Sequence, residues 1–94
     1  MALVRVRLFA ALREIAGAPN VEAEGDTVGE VIDALGARYG ERFDAIARAG
    51  SAVVDAERAG PSRALAGGEE VALLPPVSGG RRTRVGGYRE PAGP

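Results

Sequence analysis

The sequence predicts an α+β fold in which one principal helix covers one face of a single sheet. Residues 3–9 alternate apolar and polar side chains, which is typical of a strand in a sheet that is covered on one side. Residues 28–39 carry the best helix signal of the chain. The predicted elements follow one another as strand, strand, helix, strand, strand. This order favours α+β over a doubly wound fold.

The N-terminal part predicts two paired strands. In the first, one face carries Val4, Val6 and Leu8, and the other carries Leu3, Arg5, Arg7 and Phe9. Residues 10–16 predict a short helical or turn-like piece, which is closed by Gly17 and Pro19. A second strand is expected at residues 20–24, where it would form a hairpin with the first.

The principal helix has a clear start, face and end. Thr27 and Glu30 form a capping box, in which the hydroxyl and the carboxylate each accept a hydrogen bond from an otherwise unpaired backbone N–H. Apolar side chains then recur at helical spacing, at Val28, Val31, Ile32, Leu35 and Tyr39. Gly40 is placed to cap the C-terminal end.

The middle of the chain predicts a second helix and a third strand. The helix covers residues 41–49 and ends at Gly50, and its inward side chains are Phe43, Ile46 and Ala47. The strand covers residues 51–55, around Val53 and Val54.

The stretch from residue 56 to residue 66 is the least readable part of the sequence. Gly60-Pro61 marks a turn there, and Leu65 is expected to anchor a short strand or 3₁₀ piece. Residues 67–70, GGEE, predict another turn before the last strand at residues 71–74.

The composition excludes most kinds of catalytic and metal site. The chain has no Cys, no His and no Lys, so all twelve basic residues are Arg. It therefore lacks a thiol nucleophile, thiolate or imidazole metal ligands, and the lysine of Schiff-base or P-loop chemistry. No pair of carboxylates has a spacing that requires acid–base catalysis. We expect a protein that is not an enzyme and that binds no metal.

Neither a membrane span nor a secretion signal is recognisable. No apolar run approaches the roughly 20 residues that a transmembrane helix needs, and the N-terminus lacks the apolar core of a signal peptide. We expect a cytoplasmic protein without a membrane partner.

Residues 71–80, VALLPPVSGG, have the pattern of a chain end that is presented to another protein. The first four are an apolar run of strand length. Two prolines then end the strand, because proline has no N–H to donate. The segment Val77-Ser78-Gly79-Gly80 follows without a large polar or aromatic side chain. Gly-Gly pairs also occur at residues 67–68 and 86–87, so the strand and the prolines distinguish this pair.

Two stretches carry a resemblance to a known family. LPPVSGG, preceded by GGEEV, resembles the end of the ubiquitin-like sulfur carriers of the molybdopterin synthase small subunit type, which are relatives of the thiamine sulfur carrier. VRVRLFAALREIAG, residues 4–17, resembles their first strand and the turn after it. The resemblance covers most of residues 2–80. It implies a β-grasp fold, a mixed sheet of four or five strands with the first and last strands parallel at its centre.

The resemblance also implies the chemistry. In the family, a ubiquitin-activating-like enzyme uses ATP to adenylate the carboxylate of the last glycine, here Gly80, and a persulfide donor protein then supplies sulfur to form a thiocarboxylate. The sulfur passes to a substrate on a second enzyme, such as the large subunit of molybdopterin synthase. No cofactor is stably bound. The segment that threads into the partner consists of Pro75, Pro76, Val77, Ser78 and Gly79, and the partner surface on the exposed sheet face includes Phe9 and Leu74.

The chain continues for fourteen residues beyond the point where the family ends. Residues 1–80 carry 8 Arg and 12 acidic residues, whereas residues 81–94 carry 4 Arg and 1 Glu. The second segment has too few large apolar side chains to fold. We expect a β-grasp domain over residues 1–80 and a disordered basic tail, which a processing peptidase removes between Gly80 and Arg81. A solvated terminus explains the tail better than a contact with nucleic acid.

Two other functions remain open. The chain could be a non-catalytic β-grasp binding module, or a protein-modifying tag whose activated carboxylate acylates lysines. The pathway that receives the sulfur is open as well, although LPPVSGG favours molybdopterin. Glu69-Glu70 fits a docking point for a basic partner or, more simply, a solvated turn.

Overall fold

The computed structural model of the protein describes residues 2–76. Five strands and three helices lie in this range: β1 (Ala2–Leu8), α1 (Ala10–Ala16), β2 (Asn20–Gly25), α2 (Val28–Tyr39), α3 (Glu41–Ala49), β3 (Ser51–Val54), β4 (Glu57–Ala59) and β5 (Glu70–Leu74). The α+β class is confirmed. None of the helices in the described range is long and apolar enough to cross a membrane.

The strands form one mixed sheet in the order β2-β1-β5-β3-β4. β1 and β5 run parallel, with Val6 opposite Val71 and Leu8 opposite Leu73. The other neighbouring strands are antiparallel. Parallel neighbours need a crossover connection, which the helices supply here. The first and last strands therefore lie side by side in the sheet, and the expected β-grasp arrangement is confirmed.

The helices cover one face of the sheet and leave the other uncovered. Burial along β1 alternates strictly, as its sequence predicts. The core lies between the covered face and the helices, and its largest fully buried side chains are Phe43, Leu12, Leu35 and Leu73. We call the uncovered side the open face. It carries Leu3, Arg5, Arg7, Glu22, Glu24, Val53, Arg58, Glu70, Ala72 and Leu74.

The start of α2 has both predicted side-chain caps. Thr27 Oγ1 accepts from the Glu30 N–H at 3.2 Å. The Glu30 carboxylate accepts from the N–H of Asp26 at 2.8 Å, one residue before the N–H that it pairs with in the usual capping box. The helix reaches Tyr39, and Gly40 follows it with a φ of 109°, which favours glycine.

The stretch from residue 56 to residue 66 contains a strand that the sequence did not predict. β4 pairs with β3 through a tight turn, in which Asp55 and Ala56 have φ values of 48° and 71°. Its three residues, ERA, are too short and too polar to show an alternation. Leu65 is buried as expected, but it forms neither strand nor helical turn, and its neighbour Ala64 makes a single bridge to Thr27.

Candidate functional site

The candidate site begins where β5 ends. Val71 and Leu73 point into the core, whereas Leu74 is half-buried on the open face. Pro75 is half-buried and Pro76 is exposed, so the chain emerges from the fold over two residues. Proline cannot continue the ladder of backbone hydrogen bonds, and the sheet stops there. The rest of the predicted thread, at Val77, Ser78, Gly79 and Gly80, and the predicted cleavage site at Gly80 and Arg81 lie outside the described residues.

A groove of about 630 Å³ borders the emerging chain. We call it the exit groove, and its lining residues are Phe9, Ala10, Ala49, Gly50, Ser51, Leu74, Pro75 and Pro76. It is walled by the β1–α1 junction, the α3–β3 junction and the end of β5. None of its lining residues carries a formal charge. The groove is therefore suited to contact with an apolar side chain of a partner.

The structure brings the two predicted partner-surface residues together. Phe9 and Leu74 line the same groove, and 37% of Phe9 is exposed, which is a large fraction for a phenylalanine. The Arg7 guanidinium lies 5.6 Å from the Phe9 ring centroid, within cation–π range. Arg58 Nη2 donates to Ser51 Oγ at 3.2 Å on the adjoining side. The apolar groove is thus flanked by two cationic side chains.

Four groove residues were not predicted. Ala49 and Gly50 were interpreted only as the end of a helix, Ala10 only as the start of a turn-like piece, and Ser51 only as the start of a strand. Ala10 has a φ of 51°, which is unusual for a residue with a Cβ. Nothing in the local sequence could show that these positions meet Leu74, because the sheet brings them together from distant parts of the chain.

The structure separates the roles of Glu69 and Glu70. The Glu69 carboxylate accepts from the N–H groups of Ala66 and Gly67, both at 2.7 Å, and so fixes the turn before β5. These two backbone hydrogen bonds lower the pKa of Glu69. Glu70 Oε2 lies 3.9 Å from Arg7 Nε, a long ion pair on the open face. Glu69 therefore stabilises the turn through direct hydrogen bonds, whereas the simpler interpretation of GGEE predicted only a solvated turn.

The pKa of Glu69 predicts a pH dependence of stability. The pKa of Glu69 is lower in the folded protein than in the unfolded chain. The ionised carboxylate therefore stabilises the fold fully at pH values above the ordinary Glu pKa of about 4.3, and this stabilisation is lost as the pH falls through the lower folded pKa. We expect Glu69→Gln to lower the melting temperature at pH 7, and the difference from the parent protein to shrink as the pH falls through the lowered pKa of Glu69. Glu24→Gln is the control, since the side chain of Glu24 makes no hydrogen bond or ion pair within residues 2–76. A constant difference between Glu69→Gln and the parent at all pH values would contradict this assignment.

A second cleft, of about 420 Å³, lies on the other side of Gly50 and Ser51, below β4. Its floor is apolar, and its rim holds Arg48 and Arg58. Arg48 already donates to Asp44 on its own helix and to Asp33 on α2, and the second contact joins α2 to α3. Asp44 and Asp33 raise the pKa of Arg48. Within residues 2–76 there is no group of three or more Asp, Glu, Cys or His side chains that could hold a metal ion.

Comparison with known proteins decides the family. The model of the ThiS family matches residues 6–80, which is most of the chain and runs from within β1 to beyond the end of β5. The chain belongs to the ThiS family. Its β-grasp fold and the resemblance of its two terminal stretches agree with this assignment.

Three relatives show the range of this family. The chain is 39% identical over 88 residues to small archaeal modifier protein 1 of Haloferax volcanii, covering 79% of this chain and 97% of the relative. It is 25% identical to a Pyrococcus furiosus protein provisionally named molybdopterin converting factor, subunit 1, with a TM-score of 0.69 and coverage of 82% and 100%. It is 28% identical to a chain of the Amycolatopsis orientalis BexX/CysO complex, with a TM-score of 0.68 and coverage of 82% and 99%.

Membership of the ThiS family establishes the general role. The chain is a small ubiquitin-like carrier or modifier protein and not a catalytic enzyme. The Amycolatopsis orientalis relative was crystallised in a complex, as the BexX/CysO complex. The exit groove lies where this chain leaves the domain.

Proposed function

We propose that the chain is a sulfur carrier whose reactive group is the α-carboxylate of Gly80, set free by removal of residues 81–94. The observation that carries the proposal is the exit of the chain, where a central strand ends in an apolar groove and leads through two prolines toward Gly80. The end of the ThiS-family match at residue 80 supports a functional boundary there. The cycle takes place in the cytoplasm, where ATP and thiols are available.

The proposed chemistry makes the carboxylate reactive in two stages. A ubiquitin-activating-like enzyme joins a Gly80 carboxylate oxygen to the α-phosphorus of ATP, and pyrophosphate leaves. The terminal sulfur of a protein persulfide then attacks the acyl carbon, and AMP leaves. A thiol reduces the resulting S–S bond, which frees the thiocarboxylate. A synthase accepts this sulfur, and the resemblance of LPPVSGG favours the molybdopterin type.

The length and composition of the segment suit this cycle. Six extended residues, 75–80, span at most about 20 Å, enough to enter a buried site while the domain stays outside. Prolines reduce the entropy that is lost when such a segment is ordered. Glycines allow another backbone to approach closely in a narrow channel.

Mass spectrometry of the protein purified from its native cells tests the proposal. We expect a chain that ends at Gly80, part of it with a mass increase equal to the replacement of one oxygen by sulfur. Alkylation of the thiocarboxylate before digestion would place the sulfur on the last residue. An intact chain ending at Pro94 in all cell states would instead support the non-catalytic binding module.

A second function is favoured by one of the relatives. Small archaeal modifier protein 1 is a modifier by name, and it is 39% identical to this chain. A tag would use the same adenylation, but the Gly80 carbonyl would end in an isopeptide bond to a lysine of another protein. The chain itself has no lysine, so no copy could be attached to the side chain of another copy. Peptides branched at lysine through this C-terminus would support the tag.

The open face near the exit groove is the proposed docking surface, and Phe9 tests it. Phe9→Asp removes the most exposed large apolar contact of the groove, so we expect binding of the activating enzyme to weaken by about tenfold or more. Folding should be preserved, because Phe9 is the N-cap of α1 and Asp is a good N-cap. Leu3→Asp is the matched control: Leu3 is 51% exposed on the same face but lies at the other end of β1. Binding by calorimetry is the measurement, and an equal loss in both variants would contradict the location of the surface.

A further inference from the structure

Gly50 lies at the junction of α3 and β3, directly beside the end of β5. Its N–H donates to the carbonyl oxygens of Ile46 at 3.1 Å and Ala47 at 3.3 Å, which fastens it to the end of α3. The next residue, Ser51, is paired with Leu74 across the sheet. Gly50 is therefore held by the helix on one side and by the sheet on the other.

A side chain has no room at Gly50. A Cβ there would lie 1.8 Å from the carbonyl oxygen of Leu74 and 2.9 Å from the carbonyl carbons of Leu74 and Pro75. These atoms are backbone, so they cannot rotate away as the end of a side chain could. The φ of Gly50, −92°, lies outside the left-handed region that favours glycine. The glycine is needed for close approach to the emerging chain.

We propose that Gly50 is a positioning residue: it lets the α3–β3 junction press against Leu74 and Pro75, and it thereby sets the direction in which the chain leaves toward Gly80. The proposal rests on the function proposed above. Pro75 is half-buried in the exit groove, and the fixed φ angles of Pro75 and Pro76 carry the direction onward. The activating enzyme would then receive the emerging chain at Pro76 in one direction from the docked domain.

The size of the effect follows from the distances. To reach ordinary contact at 3.4 Å, the Leu74 carbonyl would have to move about 1.6 Å away from a new Cβ at position 50. A misplacement of about 1 Å in a reacting group can lower the rate by about a hundredfold. Phe9, the docking contact tested above, lies at the β1–α1 junction on another wall of the groove from Gly50. We therefore expect turnover to fall far more than apparent affinity.

The test uses the chain ending at Gly80 and ATP–pyrophosphate exchange by the adenylating enzyme from the same cells. For Gly50→Ala we expect kcat to fall by about tenfold to a hundredfold, with KM changed less than about threefold. Gly25→Ala is the matched control for damage to the fold, because its Cβ would lie 2.8 Å from the backbone nitrogen of Val31, away from the exit. Gly60→Ala is the neutral control, with nothing within 4 Å.

A double variant separates positioning from a general structural role. Pro76→Gly makes the spacer more flexible. In the Gly50→Ala variant it should restore part of kcat, because a flexible spacer lets the carboxylate reach its site even when the chain leaves the domain in the wrong direction. In the parent background it should lower kcat by about threefold. If the effects of the two substitutions on the activation free energy were simply additive, the proposal would be overturned, because additivity indicates that the two defects are independent.

The outcomes are distinct. Parent-like kcat in Gly50→Ala, or an equal loss in Gly25→Ala at equal melting temperature, would overturn the role of Gly50. If Gly50→Ala does not fold, Pro76→Gly alone decides: unchanged kcat would show that no direction is transmitted and would overturn the proposal. If the parent chain ending at Gly80 supports no exchange at all, the proposed sulfur-carrier function fails first.

Discussion

A chain shortened to end at Gly80 should support ATP–pyrophosphate exchange by its activating enzyme, whereas the full 94-residue chain should give no exchange above background. Adenylation requires a free α-carboxylate, and in the full chain the Gly80 carbonyl is in an amide bond to Arg81. The carboxylate of the 94-residue chain belongs to Pro94, fourteen residues beyond Gly80. No strand followed by a proline pair leads to Pro94 as it does to Gly80. The effect is therefore close to all or none.

Two further chains complete this experiment. A chain ending at Gly87 also has a Gly-Gly end, but no strand or proline pair leads to it, so it should be inactive. A chain ending at Gly79 lacks the last residue of the motif and should be strongly impaired. Equal exchange with the full chain and with the chain ending at Gly80 would contradict the processing step. The peptidase would be sought only after a positive result.

Replacing Gly80 by Phe in the shortened chain should abolish adenylation and leave stability unchanged. The new side chain would not fit into the narrow channel of the activating enzyme, which admits a glycine backbone only. Glycine has no side chain to lose, and within residues 2–76 the core ends at Leu73, so we expect the substitution to remove no core contact. A surface substitution changes stability by about 0.5 kcal/mol or less, and for a domain of this size that corresponds to about 2–4 °C.

The matched control for Gly80→Phe is Gly60→Phe. Gly60 is exposed, and no atom lies within 4 Å of the position that its Cβ would take. It should keep full exchange activity, since the same bulk is added away from the exit groove. Melting temperature by circular dichroism and exchange kinetics are measured on the same samples. A large fall in melting temperature of Gly80→Phe would mean that this segment packs against the domain and is not a thread.

The local patterns in the sequence were enough for the fold class and for the place where the chain emerges. Alternation in residues 3–9 predicted which side of β1 is buried, and the cap at Thr27 with its apolar stripe predicted α2. The apolar run before Pro75 predicted the last strand. These features are local because a strand or helix needs only its own periodicity and its end signals. The parallel pairing of β1 and β5 came from the family resemblance and not from the periodicity.

The tertiary structure alone decided how the site is built. β4 exists because β3 offers a partner and the turn at Asp55 brings the chain back, not because ERA favours a strand. The exit groove combines Phe9, Gly50 and Leu74, which meet only when the sheet forms. A glycine that ends a helix looks the same in sequence as one that makes room for a distant carbonyl. The second role of Gly50 is set by a contact between the α3–β3 junction and β5, and a contact between distant segments leaves no periodic signal in the sequence.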